Sequence, residues 1–412
     1  MIYSLNNIEK IVNISSYIIE NKQTLSLSLF YLLETFYYNP YEPNIIMIAR
    51  EEVNSIADQY ELKDITIGTI GSHSALEIMD GAKDEDLRTV CICQKGREVP
   101  YLRFKRLTDE FMLLDKFSDI LMTENQEKLR QLNTIMIANR AFTAYLGYDN
   151  IENILRVPIF GNRLLLRAEE RTATRNQYYL LEKAKIRHPR IYTKPSDIDS
   201  LAVVKVQEAR RKLERAFFLV SSFEDYKKKA ELKIKERLIN EADLNSATIE
   251  EYIIGTYFNF NFFQSPLSEE VEFLGIERRL QTNLHDFTTS LPARQQMEID
   301  IGIHNIEVGH TPASIRESIL EKVFEIGDKF AAAVRTEYPP GIIGPISLQS
   351  IVTSDLDLVV YDVSLRVPGN PIMATTSPYT KYSYGHTVGV GRRIAMEIKN
   401  AISQKKIIDI VT

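Results

Sequence analysis

Between Asp64 and Ala138, short β-branched runs alternate with stretches of helical periodicity, and this alternation limits the fold more than any other feature of the chain. Asp64 to Ile70, Arg88 to Gln94 and Thr134 to Ala138 read as strands. Ser72 to Lys83 and Thr123 to Leu132 read as helices. Strands separated by helices pair in parallel, so the region is predicted to form βαβ units of an α/β layer ending near Pro158.

The remainder reads as mixed α+β. A charged stretch, Asn162 to Lys185, is predicted to be helical, followed by strands at Leu201 to Val206 and Arg215 to Ser221. A long helix is expected from Phe223 to Ile239, then strands at Ala247 to Gly255 and Val271 to Arg279. Further on, a helix spans Ser314 to Tyr338, and two strands, Ile346 to Val352 and Asp357 to Val363, flank Ser354-Asp355 as a hairpin. A final helix runs from Val390 to Ser403. The division expected is a front α/β domain over 47–160, one subdomain over 161–255 and a second over 256–412. Residues 1–46 differ in composition and read as an appendage, or as residues preceding a true start at Met47. Mass spectrometry of the native N-terminus separates these two.

A formal net charge of −6 argues against a nucleic-acid binder, which carries a basic face. No apolar run reaches the roughly 18 residues of a membrane span, and no secretory signal opens the chain. The two cysteines, Cys91 and Cys93, share one strand face and read as buried thiols, which fits a reducing cytoplasm.

Four places carry candidate chemistry. Gly71-Ser72-His73-Ser74 falls where a strand turns into a helix, so exposed N–H groups, two hydroxyls and an imidazole could hold an anion; Ser72 could equally be only an N-cap. Lys205 lies inside an otherwise apolar strand and either faces solvent or meets a ligand anion. The cationic run from Gln207 to Arg215 beside it could grip a triphosphate or be a solvated face. Glu250-Glu251-Tyr252-Ile253 ends a strand and could read an adenine edge and ribose, although paired glutamates are common on surfaces. Gln349 and Asp362 fall on opposite arms of the hairpin, where oxygen ligands can hold Mg²⁺. Asp362 sits among apolar residues, so a metal or an arginine is implied, with Arg366 the expected partner. The scattered histidines form no zinc pattern, and Walker-A, GxSxG and GxGxxG signatures are all missing.

These segments, with Pro158-Ile159-Phe160-Gly161-Asn162-Arg163 and Gly391-Arg392-Arg393-Ile394-Ala395, occur in an order that resembles the archaeal formate-dependent 5-formaminoimidazole-4-carboxamide ribonucleotide synthetases, the PurP family of ATP-grasp ligases, from about residue 47 to the end. The resemblance implies a pre-ATP-grasp domain followed by two subdomains that clamp ATP. It implies formation of formyl phosphate from formate and ATP, then attack by the amine of aminoimidazole carboxamide ribotide, a step of purine biosynthesis towards IMP. By position it assigns His73, Ser74 and Asn283 to the ribotide, and Lys205 with Glu250, Glu251, Tyr252 and Ile253 to ATP. It assigns Gln349 and Asp362 to Mg²⁺ or Mn²⁺, and Lys205 with Arg366 to catalysis. Ala141 stands where the family has a ribotide-binding serine. The loop 207–215 lacks the glycines of many members, and Pro368-Gly369-Asn370-Pro371 replaces a Gly-Gly-Thr-Asn run. These departures leave open a ligase with a drifted substrate, or a weakly active nucleotide-binding paralogue. A ring-like homo-oligomer is also implied.

Overall fold

The computed structural model describes residues 47–206, 217–237, 239–281 and 307–412. The expectations for residues 1–46, for the 207–215 run and for Asn283 lie outside the described residues.

The first sheet is parallel throughout, in the order β3-β2-β1-β4-β5: β1 Thr66–Ile70, β2 Arg88–Gln94, β3 Glu110–Leu114, β4 Thr134–Ile137 and β5 Ile159–Phe160. All five residues of β1 are buried, as a central strand covered on both faces requires. Its helices include α1 Arg50–Ala57, α2 Ala75–Asp84, α3 Thr123–Gln131 and α4 Arg140–Leu146. The edge strand β3 was not anticipated; its Glu-Phe-Met-Leu-Leu run has no two-residue alternation.

Helix α2 begins at Ala75 rather than Ser72. Ser74, at the N-cap, has φ 72°, a left-handed backbone rare outside glycine, and its side chain makes no capping bond. The predicted helix over 162–185 is interrupted. A 3-10 turn, Leu165–Glu169, precedes α5, Gln177–Lys183, which Asn176 caps by accepting from the N–H groups of Tyr178 and Tyr179. Two β-branched threonines and an asparagine in the intervening Arg171 to Asn176 favour a turn and a cap over a helix interior.

The second sheet has the order β6-β9-β7-β8: β6 Ile191–Tyr192, β7 Ala202–Lys205, β8 Phe217–Val220 and β9 Thr248–Glu251. Helix α6, Phe223–Lys235, follows β8, and Ala230 packs into the core under this sheet.

The third sheet is antiparallel, in the order β12-β11-β10-β13-β14. It comprises β10 Thr256–Gln264, β11 Val271–Gln281, β12 Glu307–Ala313, β13 Gly344–Val352 and β14 Leu358–Ser364. Helix α7, Glu317–Glu337, places Val323, Phe330 and Val334 in one core cluster with Phe260, Phe262, Ile276, Ile346 and Leu348 of the strands. The expected hairpin is β13–β14, and Gln349 pairs with Asp362. The last helix, α8 Val390–Gln404, crosses α2 at glycine contacts: a Cβ on Gly81 would meet Arg392 N at 2.0 Å, and one on Gly391 would meet Glu77 O at 2.2 Å. The chain end then joins the first sheet, where Ile159 and Thr412 exchange backbone hydrogen bonds at 3.0 and 3.1 Å. No helix among the described residues is long and apolar enough to cross a membrane.

Candidate functional site

Pairing across the antiparallel sheet gathers four polar residues into a transverse row: Asp362 on β14 faces Gln349 on β13, Gln349 faces Asn259 on β10, and Asn259 faces Glu277 on β11. Directly paired residues share a face, so the row lies on one side of the sheet. The apolar residues of β10, Phe258, Phe260 and Phe262, alternate with it and pack toward α7. Gln349, Asn259 and Glu277 are all buried.

At one end of this row lies a cavity of about 460 Å³, within the range of small-molecule sites. Five cationic side chains line it, Arg140, Arg171, Lys205, Arg279 and Arg366, against three carboxylates, Glu169, Glu170 and Asp362. Such a surplus of positive charge on a concave wall attracts a polyanion. Gln349 and Asp362 also line it.

Lys205 is buried, which settles how an apolar strand carries it. Its Nζ donates to Glu250, which also accepts from the Tyr178 hydroxyl. Burial drives the Lys205 pKa down, opposed by the Glu250 charge. Burial works against the Arg171 charge as well, yet the Asp362 carboxylate, then Tyr178 and Glu250, carry its net shift upward.

The arginine on Asp362 is Arg171, at 3.0 Å, and not the expected Arg366. Arg366 turns to Glu169, 3.6 Å away. Four residues apart places side chains together on a helix, but in extended chain it separates them by about 13 Å. Burial lowers the Arg366 pKa, and its buried Nε has no hydrogen-bond acceptor among the described residues. An anionic oxygen in the cavity would supply one.

Asp362 and Gln349 present hard oxygen donors from adjacent strands. No group of three or more His, Cys, Asp or Glu is placed to hold a metal ion among the described residues. A cation held here would take two protein ligands and complete its shell with phosphate oxygens and water, as Mg²⁺ does. The residues present fit that ion.

The Gly71–Ser74 loop stands apart from the cavity lining and is tied to the chain beyond Arg366. Ser74 Oγ donates to the Pro368 carbonyl at 2.9 Å. A Cβ on Gly369 would lie 1.4 Å from His73 Nε2, so the backbone at 369 runs against the imidazole. His73 is exposed, with its ring centroid 5.9 Å from that of His310.

Among the expected site residues, Lys205, Arg366, Gln349 and Asp362 meet at the cavity, and Glu250 adjoins it through Lys205. Glu251 accepts from the Arg190 backbone N–H at 3.2 Å, Tyr252 N–H donates to Leu201 O at 2.9 Å, and Ile253 packs with Ile351 and Val359. Ala141 is buried in the first-sheet core, while Arg140, Thr143 and Ala144 of the same helix line the cavity. The sequence reading missed Arg171, Arg279, Asn259, Glu277 and His310. The alternation Phe258-Asn259-Phe260-Asn261-Phe262 is a two-residue period that marks a strand with one polar face, and could have revealed Asn259.

Two family models match the chain, a protein of unknown function (DUF1246) over residues 67–192 and a domain of unknown function (DUF1297) over residues 225–412. A curated 5-formaminoimidazole-4-carboxamide-1-(beta)-D-ribofuranosyl 5'-monophosphate synthetase of Methanocaldococcus jannaschii is 44% identical over 368 residues, covering 89% of this chain and 100% of that protein. The synthetase of the same name from Methanopyrus kandleri is 40% identical over 367 residues, covering 89% and 100%. An IMP biosynthesis protein PurP from Thermococcus kodakaraensis superposes with a TM-score of 0.64 at 24% identity, over 84% of this chain and 100% of that one. The ADP complex of an N5-carboxyaminoimidazole ribonucleotide synthetase, purK, superposes at 0.54 with 13% identity, over 78% and 76%. At those identities the structural likenesses speak for the fold.

Proposed function

The chain belongs to the PurP family of 5-formaminoimidazole-4-carboxamide ribonucleotide synthetases, and on that premise we propose that its cavity runs the ATP- and formate-dependent formylation of aminoimidazole carboxamide ribotide in IMP biosynthesis. The fold is the ATP-grasp fold and the protein is an ATP-grasp ligase. The observation that carries the site reading is the meeting of Lys205, Arg366, Gln349 and Asp362, from separate strands and a loop, on one cation-rich wall.

Formate oxygen attacks the γ-phosphorus of ATP, the bond to the β,γ-bridging oxygen breaks, and ADP leaves with the electron pair. The ribotide amine then attacks the formyl carbon and phosphate departs. Lys205 and Arg366 would hold the phosphate oxygens and offset charge on the moving phosphoryl group. Mg²⁺ or Mn²⁺ held by Asp362 and Gln349 would neutralise the β- and γ-phosphates. Glu250, Glu251, Tyr252 and Ile253 would take adenine and ribose. His73, Ser74 and Asn283, with the helix that carries Ala141, would face the ribotide. Exclusion of water from the loaded cavity would protect formyl phosphate from hydrolysis. Assembly as a homo-oligomer belongs to the same reading and is read out by sedimentation.

The test is ADP release with ATP, Mg²⁺, formate and the ribotide, omitting each in turn. Formamido product and ADP only in the complete mixture are expected; turnover unaffected by omitting formate sinks the assigned chemistry. In the same assay Asp362→Asn should lose about 10²-fold or more of ADP formation while melting as the wild type does. Near-normal turnover would place the metal elsewhere.

A further inference from the structure

Tyr148 brings a phenol to the cavity wall, among its charged side chains. It opens the short helix Tyr148–Asn153, directly after Gly147, which caps α4 and also lines the cavity. Gly147 has φ 77°, a left-handed backbone that glycine adopts at no steric cost, so the chain turns sharply between the two helices. One side of the Tyr148 ring packs against the first-sheet core, and the Arg167 guanidinium lies over the ring, 5.7 Å from its centroid. Arg167 is itself fixed by Glu152, to which its Nε donates at 2.8 Å and its Nη2 at 2.7 Å. The ring is therefore held in place before any ligand arrives. Its hydroxyl, by contrast, has no hydrogen-bond partner among the described residues. A phenylalanine would pack there equally well, so the hydroxyl adds nothing to the packing and points to a ligand.

Its place on the wall names the ligand atom. The Arg366 guanidinium acts electrostatically on both Asp362 and Tyr148. Asp362 and Gln349 come from β14 and β13, whereas Tyr148 follows directly on α4, the helix that carries Ala141 and that the proposed function turns towards the ribotide. A formyl group handed from the γ-phosphate end to the ribotide amine passes the stretch of wall that Arg366 and Tyr148 share. The nearby Glu169 carboxylate is already engaged, accepting from Leu365 N–H at 2.6 Å and pairing with Arg366. Burial, then the Glu169 charge, push the Tyr148 pKa up against the pull of Arg140. The phenol therefore keeps its proton at neutral pH and is available as a donor.

We infer that Tyr148 is a catalytic residue of the second half-reaction, its hydroxyl donating a hydrogen bond to the formyl oxygen as the ribotide amine adds to the formyl carbon. The inference rests on the formyl phosphate reading above. As the nitrogen bonds to carbon, the carbonyl π pair moves onto oxygen, and the phenol holds that oxyanion. The pair then returns, and the bond from carbon to the phosphate oxygen breaks. Phosphate leaves with the electron pair of that bond, takes the amine proton and departs as hydrogen phosphate. A donor aimed at this oxyanion serves the second step far more than the first, in which a formate oxygen must stay nucleophilic.

Y148F removes the hydroxyl and keeps the ring, and because that hydroxyl bonds to no described residue the variant should melt as the wild type does. Two half-reactions separate the claims. Formate-dependent scrambling of a heavy-oxygen label from the β,γ-bridge of ATP, with a ribotide analogue lacking the amine, reports formyl phosphate alone. Formation of the formamido product reports both steps. Y148F should keep label scrambling near the wild-type rate and lose about 10²–10³-fold of product formation. Formyl phosphate that waits longer for the amine is hydrolysed, so the ratio of ADP to formamido product should also rise above that of the wild type. Product formation by Y148F within a few-fold of wild type would overturn the inference. So would an equal loss of scrambling and product, the mark of a residue that only binds formate or shapes the cavity. Fluorotyrosine placed at 148 keeps ring and hydroxyl while making the phenol a stronger acid. Product formation should then change and scrambling should not; a product rate indifferent to the phenol's acidity overturns the inference even where Y148F folds poorly. Wild-type protein that scrambles no label with formate overturns the formyl phosphate reading first, and that result is seen without any variant.

Discussion

Gly369 shows how one missing carbon makes room for a side chain. The His73 imidazole occupies the space that a Cβ at 369 would need, and Ser74 is tied to the preceding carbonyl at Pro368. The backbone at 368–369 therefore builds a floor under the Gly71–Ser74 loop. In Gly369→Ala the imidazole must swing away, and because His73 is exposed, it can do so without disturbing a core. The expected outcome is an unchanged melting temperature, an unchanged KM for ATP, and a KM for the ribotide raised by about tenfold, or ~1.4 kcal/mol. Steady-state kinetics with each substrate varied separately checks this. An unchanged ribotide KM would remove His73 from that site.

The crossing of α2 and α8 carries a titratable group of its own. Gly81 and Gly391 bring the two backbones into contact, and Glu77 is sealed between them, its Oε1 accepting from Gly391 N–H at 3.2 Å. Burial pushes the Glu77 carboxyl up from 4.5 to about 7, against the backbone N–H groups of Gly391 and Val390 and the His310 charge that pull it down. The folded state therefore holds this proton after the unfolded chain has released it. Stability is full below about 4.5 and declines as pH rises through about 7, by on the order of 3 kcal/mol for this group. Glu77→Gln, which cannot ionise, should flatten that part of the profile; urea midpoints across the window measure it. Equal slopes in both proteins would mean that Glu77 stays ionised. At this scale much was legible. β1, β2, β4, the β13–β14 hairpin, α7 and α8 follow from β-branched runs and helical periodicity within a few residues. The break between the 3-10 turn and α5 was not, because local charge periodicity outlasted the threonines that end it.

The last residues of the chain pack into the core beside the first sheet. Ile407, Ile410 and Val411 are buried with Phe160 in a cluster that also holds Phe263 and Ile343, and Thr412 O accepts from the buried Arg163 side chain at 2.9 Å. Each such aliphatic side chain contributes about 1.5–3 kcal/mol, so three together approach the ~5–15 kcal/mol that holds a typical domain folded. Removing residues 407–412 should abolish cooperative melting. A truncated protein that melts at the wild-type temperature would show that the junction between the chain end and the first sheet is dispensable.

By itself the sequence determined the fold class and the elements whose burial pattern is local, but not β3, β5, β6, β10 or β12, because side-chain periodicity reports which faces must be buried only where the pattern is long and regular. It also singled out Lys205 and Asp362, since a charged group in an apolar strand needs a partner, and Gln349 as the oxygen ligand opposite Asp362 on the hairpin, and it supplied the family resemblance through ordered blocks. Only the tertiary structure decided which partners those groups take. Arg171 reaches Asp362 from 191 positions away in sequence. The row from Gln349 to Glu277 exists because β10 inserts between β11 and β13. Strand order and register are set by long-range pairing, in which every side chain on a face is placed by a neighbour distant in the chain, and no local pattern encodes that choice.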